Sequence, residues 1–226
     1  MMGKLKKLTG YRLFLPLSCL IIVLLINLIT TPTFFRITIN NGVLYGYIID
    51  VINRASELVV LAVGMTLVVS ASAGTDISVG AVMAVAAAVC TRVLAGGEVS
   101  VNEYANPYVL AVLAALAAAV VCGGFNGLLV AKLKIQPMVA TLILFTAGRG
   151  ISQLVTNGQI TYIRVDGYKL LGNNIPGIPI PTPIFVAVIV VALTYILLKK
   201  TAMGMYIQSV GINERASRLV GLKSVK

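Results

Sequence analysis

The chain has 226 residues, of which 58% are apolar and only 11% are charged. An ordinary soluble domain carries about 25% charged residues, so this composition excludes that class and favours a protein of the lipid bilayer. The net charge is +11, but most cations stand in short clusters beside apolar runs. That arrangement is typical of membrane topology and argues against nucleic acid as a partner.

Several kinds of chemistry are disfavoured by residues that the sequence lacks. It has no His and no cluster of Cys and Asp at ligand spacing, so we predict no metal site and no cofactor. It also lacks the glycine-rich phosphate-binding motif G-x-x-x-x-G-K-[ST]. If the protein uses ATP, another subunit must bind it.

Apolar runs along the chain predict an all-α integral membrane protein, a polytopic bundle of about six transmembrane segments, some broken or re-entrant. We place the segments at residues 13–35, 53–72, 78–94, 104–131, 138–155 and 184–198. The fifth is expected to be interrupted at Gly148-Arg149-Gly150. We read residues 1–226 as a single membrane domain in which 201–226 form a cytoplasmic segment.

The positions of the cations predict the orientation, because loops on the cytoplasmic side of a membrane are enriched in Lys and Arg. The predicted path puts 12 of the 18 cations inside, namely Lys4, Lys6, Lys7, Arg12, Lys132, Lys134, Lys199, Lys200, Arg215, Arg218, Lys223 and Lys226. Both termini are therefore expected in the cytoplasm. The connections 96–107 and 156–183 then lie outside.

Residues 62–80 contain a break between two apolar helices, and Asp76 is the single charge in this stretch. A carboxylate there is costly unless it caps a helix, pairs with a cation or faces water. Because Asp and Ser side chains accept hydrogen bonds from the first turn of a helix, we predict that one helix ends near Ser72 and the next begins near Asp76.

Two further stretches combine small or charged residues with apolar ones. Gly123, Gly124 and Gly127 favour a helix-packing face over a binding role, since small residues let helices approach closely. Residues 211–221 fit a short amphipathic helix near the membrane, with a simple positive-inside anchor as the alternative.

Several motifs in order resemble the permease subunits of bacterial monosaccharide ATP-binding cassette importers. They are G-M-T-L-V-V-S at 64–70, D-I-S-V-G at 76–80, F-N-G-L-L-V-A-K-L-K-I-Q-P at 125–137, V-A-T-L-I-L at 139–144, G-R-G at 148–150 and T-N-G at 156–158. Segments 49–55, 147–154 and 181–183 look most like galactofuranose importer permeases, and ribose and xylose permeases come next. Such permeases are longer than this chain, so we expect it to correspond to their N-terminal part.

The resemblance implies a transport subunit of the inner membrane that performs no bond chemistry. It also implies the partners: ATP-binding cassette subunits that hydrolyse ATP, a periplasmic sugar-binding protein, a second permease subunit, and lipid. Residues 211–221 resemble the loop that faces the ATPase, and we call them the coupling segment. Its candidate contact residues are Gly211, Asn213, Glu214, Arg215, Ala216, Arg218, Leu219 and Gly221.

A sugar is polar but neutral, so its path needs hydroxyl, amide and helix-end groups with few charges. The candidates are Ser70, Ser72, Thr75, Asp76, Ser78, Asn126 and Thr141. A break in a helix at Asp76 would bring backbone N–H groups near the inside of the bundle. Asp76 as a plain cap explains the same residues. The alternatives for the whole chain are an inactive truncated permease and an ATP-independent channel.

Overall fold

The computed structural model describes residues 13–40, 43–169, 172, 175 and 178–222. It divides into two compact units, the first comprising Met1–Ala55 and Pro176–Ile180 and the second Ser56–Ile175 and Pro181–Lys226. Six cations used for the predicted orientation lie outside the described residues: Lys4, Lys6, Lys7, Arg12, Lys223 and Lys226.

The first unit contains one apolar helix and a short hairpin. Helix α1 spans Phe14–Thr30, a 3-10 turn spans Pro32–Phe35, and strands β1 (Thr38–Asn40) and β2 (Val43–Tyr45) pair antiparallel. The helix is shorter than the predicted segment 13–35, because Pro32 disfavours helical backbone at the residue before it. That residue, Thr31, has φ −138° and ψ 77°.

Helix α2 spans Tyr47–Ser72, and its part from Ser56 onward belongs to the second unit. It ends where the sequence predicted but begins before the predicted residue 53. The remaining elements of the second unit are α3 (Val79–Ala95), β3 (Ser100–Val101), α4 (Tyr108–Gly127), a π-helical turn (Leu128–Lys132), α5 (Pro137–Val155), β4 (Tyr162–Ile163), a 3-10 turn (Asp166–Lys169), α6 (Thr182–Lys200), α7 (Ala202–Ile212) and α8 (Glu214–Leu219).

Helix α3 packs against both α4 and α5 and forms the centre of the second unit. Val85, Cys122 and Leu144, one from each of these helices, make up its buried core. Small residues bring α3 and α5 together, since a Cβ added at Gly148 would lie 3.0 Å from the Cβ of Ala81. Close approach of this kind is how helices associate in lipid.

Among the described residues, four helices are long and apolar enough to cross a membrane: Tyr47–Ser72, Tyr108–Lys132, Pro137–Val155 and Thr182–Lys200. The helices Phe14–Thr30 and Val79–Ala95 are also apolar but shorter. Many of their large aliphatic side chains are exposed, as expected for surfaces that meet lipid. The prediction of a polytopic all-α membrane protein is confirmed.

Two details differ from the sequence-based expectation. Helix α5 runs without interruption through Gly148-Arg149-Gly150, and the guanidinium of Arg149 lies 4.5 Å from the centre of the Phe145 ring. The predicted interruption there is therefore wrong: the exposed Arg149 is accommodated on a continuous helix, where its guanidinium stacks over a ring of the same helix. Two short two-stranded sheets also occur, β1 with β2 and β3 with β4.

Candidate functional site

The break between α2 and α3 is held by specific side-chain hydrogen bonds, and Ser72 fixes its first half. The hydroxyl of Ser72 donates to the carbonyl of Val68 at 2.9 Å, and it accepts from the N–H of Gly74 at 3.2 Å. Ala73 has φ 52°, a left-handed conformation that cannot continue the helix. The predicted end of the first helix near Ser72 is confirmed.

The second half of the break is fixed by Asp76. Its Oδ1 accepts from the backbone N–H of Ser78 at 2.7 Å and from the Ser78 hydroxyl at 2.6 Å. Helix α3 begins at Val79, three positions after the residue where the sequence predicted it. Asp76 thus stabilises the turn that precedes the helix and does not itself occupy the N-cap.

The hydrogen bonds continue from Asp76 to Asn126 on α4, and their direction follows from the chemistry of the groups. A carboxylate only accepts, so the single hydroxyl proton of Ser78 goes to Asp76. The Ser78 oxygen must then accept from Asn126, whose Nδ2 lies 2.8 Å away. This leaves the Asn126 Oδ1, which is buried and has no hydrogen-bond partner in the described part of the chain.

A third polar contact joins the break to α5. The Thr141 hydroxyl oxygen accepts from the N–H of Ile77 at 3.1 Å, and the side chain is 3% exposed. Gly74 lies against the first residue of α5, because a Cβ at position 74 would be 2.5 Å from the Pro137 side chain. The break is therefore held by α4 on one side and α5 on the other.

Beside the break lies a cavity of ≈ 660 Å³. This volume falls within the range of about 300–1,000 Å³ that is typical of small-molecule sites. Its walls come from the end of α2 and the break, one face of α4, the α4–α5 turn, the start of α5 and the α7–α8 junction: Val68, Ala71, Ser72, Ala73, Thr75, Asp76, Gly123, Asn126, Gly127, Val130, Ala131, Lys134, Ile135, Gln136, Pro137, Thr141, Val210, Gly211 and Glu214.

Most of the predicted path residues meet at this cavity. Five line it: Ser72, Thr75, Asp76, Asn126 and Thr141. Ser78 is fully buried behind Asp76 and Asn126, where it orients both. Ser70 does not line the cavity; its backbone carbonyl instead contacts Gly211.

The sequence analysis missed Lys134, Gln136 and Glu214 as cavity residues. Lys134 was used only as a cation of the predicted cytoplasmic side, and Glu214 only as a candidate ATPase contact of the coupling segment. Lys134 stands beside the Gln136-Pro137 helix start, but the sequence does not reveal that Glu214, from a distant segment, meets it there.

The glycines of α4 do not form a packing face within the described residues. No heavy atom beyond the local helix lies within 4 Å of a Cβ added at Gly123, Gly124 or Gly127. Gly123 and Gly127 line the cavity. Among the described residues no helix packs on these three glycines, and Gly123 and Gly127 leave space in the cavity, so the helix-packing face stays a prediction.

The coupling segment begins at the end of α7 and contains α8, which is capped by Asn213. The Asn213 Oδ1 accepts from the N–H of Ala216 at 3.0 Å. Glu214 forms ion pairs with Lys134 at 2.6 Å and with Arg218 at 2.7 Å. The helix predicted here is present, and Gly221, with φ 88°, follows its end.

The apolar side of the coupling segment is exposed. Ile212, Leu219 and Val220 are 86%, 90% and 77% exposed, and Arg215 and Ala216 are exposed as well. Three large aliphatic side chains on one short segment make a surface suited to a membrane or a protein partner.

Membrane-length helices with a cavity of mixed polar and apolar lining beside the break define the class as a multi-pass membrane protein. A profile of the family described as the permease component of the branched-chain amino acid transport system matches residues 47–226, and the chain belongs to this permease family. The family and its apolar helices place the chain in the inner membrane. No solved structure matches the chain significantly.

Curated relatives include three sugar permeases. The galactofuranose transporter permease protein of Escherichia coli K12 is 43% identical over 208 residues, 92% of this chain and 58% of that protein. The fructose import permease protein of Bifidobacterium longum is 38% identical over 230 residues, 98% and 61% of the two chains. The ribose import permease protein of E. coli K12 is 33% identical over 211 residues, 91% and 60%. The chain spans about three fifths of the length of these relatives.

Proposed function

We propose that this chain is part of the membrane permease of an ATP-binding cassette importer that carries a monosaccharide, galactofuranose or a related sugar, into the cell. The observation that carries the proposal is the buried, unpaired Oδ1 of Asn126 at the cavity beside the break. A buried acceptor without a partner is costly, and a sugar hydroxyl that reaches it when the cavity opens would supply the missing donor. The names of the relatives support a sugar as the substrate.

The chemistry of the cavity suits a neutral polyol. Asp76 and Asn126 offer acceptors, and the hydroxyl of Thr75 both donates and accepts. Within the described part of the chain, the N–H groups of Thr75 and Asp76 have no acceptor, so they are available as donors. Hydrogen bonds to these groups would replace water around a sugar one hydroxyl at a time. The chain itself then breaks no covalent bond.

The partners follow from the same proposal. Subunits of the ATP-binding cassette type would bind the coupling segment, with Ile212, Leu219 and Val220 as the apolar contact and ATP hydrolysed in those subunits. A periplasmic sugar-binding protein would deliver the sugar on the opposite face. A second permease subunit would complete the path, and both termini would lie in the cytoplasm. ATP binding would shift the population between outward-open and inward-open arrangements.

The test is uptake of labelled galactofuranose, fructose and ribose into vesicles that contain the complete permease with its ATPase and binding protein. We expect ATP-dependent uptake of at least one of these sugars. Asn126→Ala should lower that uptake by about ten-fold, the effect of one hydrogen bond to a buried group. Asn106→Ala is the matched control, since Asn106 donates to Val93 at 2.8 Å and does not line the cavity.

Three results would overturn the proposal. Uptake that persists without ATP would make the protein a channel. A wild-type complex that takes up none of the three sugars would refute the assigned substrate class. Equal losses in Asn126→Ala and Asn106→Ala would show that the cavity is not on the path.

A further inference from the structure

The coupling segment touches the walls of the cavity at two separate points. One is a backbone contact between Gly211 and the end of α2, and the other is an ion pair between Glu214 and Lys134 on the α4–α5 turn. These two contacts define two routes by which movement of this segment would be transmitted to the cavity.

The first route runs through Gly211. A Cβ at this position would overlap the carbonyl oxygen of Ser70, so only glycine permits the observed contact. Ser70 lies two positions before the end of α2, and Ser72 then holds Gly74 through its hydroxyl. This route ends at the break, on the Asp76 side of the cavity.

The second route runs through Lys134. Its Nζ lies 2.6 Å from the Glu214 Oε1, and both side chains line the cavity. Lys134 has φ 57°, an uncommon conformation for a residue other than glycine, and conformations of this kind concentrate at functional sites. It is held there by its neighbours, because Leu133 and Ile135 donate to the carbonyls of Leu128 and Leu129.

Between Lys134 and Asn126 lies the π-helical turn Leu128–Lys132. Such turns contain one residue more than the α-helical hydrogen-bond pattern accommodates, and they are frequent at functional sites. A displacement of Lys134 therefore acts on the irregular end of α4. Asn126 lies on the same helix, about 9 Å from Lys132 along the axis at 1.5 Å per residue.

We infer that Lys134 is a positioning residue: its contact with Glu214 transmits movement of the coupling segment to α4 and so to the Asn126 side of the cavity. The inference rests on the proposed function and assigns Glu214 a role inside the chain. Glu214 already bonds to Lys134 and Arg218, so it serves to hold α8 in place, while the exposed aliphatic side chains form the contact for the partner.

The ion pair is exposed enough that it contributes little to the stability of the fold, with side-chain exposures of 50% for Lys134 and 39% for Glu214. Its removal should therefore change the transmission of movement without unfolding the protein. This separates a positioning role from a structural one, because a structural role would lower ATP hydrolysis and transport together.

The test uses the complete importer in proteoliposomes and measures sugar transported per ATP hydrolysed. We expect Lys134→Met to lower this ratio about five-fold, within the range of couplings between distant sites. Lys134→Arg should retain it, and Lys134→Glu combined with Glu214→Lys should recover much of the loss caused by Glu214→Lys alone. Lys132→Met is the matched control, since no ion pair involves Lys132 among the described residues.

A second readout does not depend on which sugar is carried. Gly127 lines the cavity with no atom within 4 Å of an added Cβ, so Gly127→Cys fits there. In a background with Cys19, Cys90 and Cys122 changed to Ser, the labelling rate of Gly127→Cys by a maleimide should change on addition of ATP. Lys134→Met should abolish that change, and Lys132→Met should preserve it.

The inference is overturned if Lys134→Met leaves the ratio and the labelling unchanged, or if the double charge reversal stays as uncoupled as Glu214→Lys. The second result would mean that Glu214 acts through Arg218 or on the ATPase directly, and not through Lys134. An ATP-dependent labelling change that Lys134→Met abolishes, in a complex that carries none of the tested sugars, supports the inference while the substrate proposal fails.

Discussion

At the scale of single residues, the chain of hydrogen bonds from Asp76 through Ser78 to Asn126 does two jobs at once. The Oδ1 of Asp76 fixes the turn before α3 by accepting from Ser78. Ser78 in turn accepts from the Asn126 amide, which leaves the Asn126 Oδ1 without a partner among the described residues. The two sequence-based interpretations of Asp76, a helix cap and a path residue, are therefore compatible. Substitutions can separate them.

Asp76→Asn should keep the turn before α3 and change the path. An amide oxygen can still accept from Ser78, but the other position becomes a donor and the negative charge is lost. We expect normal folding and uptake reduced by about ten-fold, the effect of losing a charged acceptor. The measurement is sugar uptake together with the melting temperature of the purified protein.

Asp76→Ala should also destabilise the turn before α3, since Ser78 then loses both bonds to the carboxylate. We expect the free energy of unfolding to fall by about 1–3 kcal/mol in this variant. Identical melting temperatures for Asp76→Asn and Asp76→Ala would contradict a role of Asp76 in stabilising this turn. Normal uptake in Asp76→Asn would contradict a path role.

At the scale of elements, the sequence predicted where helices break better than which faces meet. The end of α2 at Ser72 follows from local chemistry, which a sequence contains, and five of the seven predicted path residues line one cavity. The faces of α4 could not be predicted, because Gly123 and Gly127 pack closely or widen a cavity according to where another helix lies. The strands of two and three residues are too short to show a period.

Lys134 shows the same limit at a turn. The left-handed backbone of Lys134 and the π-helical turn before it depend on backbone hydrogen bonds that do not follow the α-helical i to i−4 pattern. A periodicity argument from the sequence therefore does not predict them. The sequence around Lys134 indicates only the end of one span and the start of another. It does not indicate that Glu214, eighty positions away, forms an ion pair with Lys134.

Gly211→Ala tests the backbone contact between α7 and α2. The added Cβ would overlap the Ser70 carbonyl, which is backbone and cannot rotate away. We expect a loss of about 1–3 kcal/mol in stability, as for other overpacked sites, and it should appear as a lower melting temperature.

Gly124→Ala is the matched control for that variant. No neighbour lies within 4 Å of an added Cβ, and alanine favours a helix interior over glycine, so its melting temperature should equal or exceed that of the wild type. If Gly211→Ala is as stable as Gly124→Ala, the close contact is not maintained in the membrane.

At the scale of the whole molecule, charge distribution predicts orientation. Six described cations stand after the end of α4, in the last turn of α6 or in α8: Lys132, Lys134, Lys199, Lys200, Arg215 and Arg218. Glu98 and Glu103 lie instead in the connection after α3. By the positive-inside rule we predict that these six cations face the cytoplasm.

Cysteine labelling in intact cells tests this orientation. In the background without native cysteines, Glu98→Cys should react with a membrane-impermeant maleimide, and Arg215→Cys should react only after the membrane is opened. Both positions are exposed in the structure, so failure to label reflects the membrane and not burial. The reverse pattern would place the coupling segment outside and rule out its contact with a cytoplasmic ATPase.

The short parallel pairing of β3 with β4 makes one object out of two connections. Tyr162 donates to Val99 at 2.7 Å and Arg164 donates to Val101 at 2.9 Å, so the stretch that follows α3 and the stretch that follows α5 share backbone bonds. We therefore expect a protein that binds either stretch to move both of them together, because their backbones are bonded to each other.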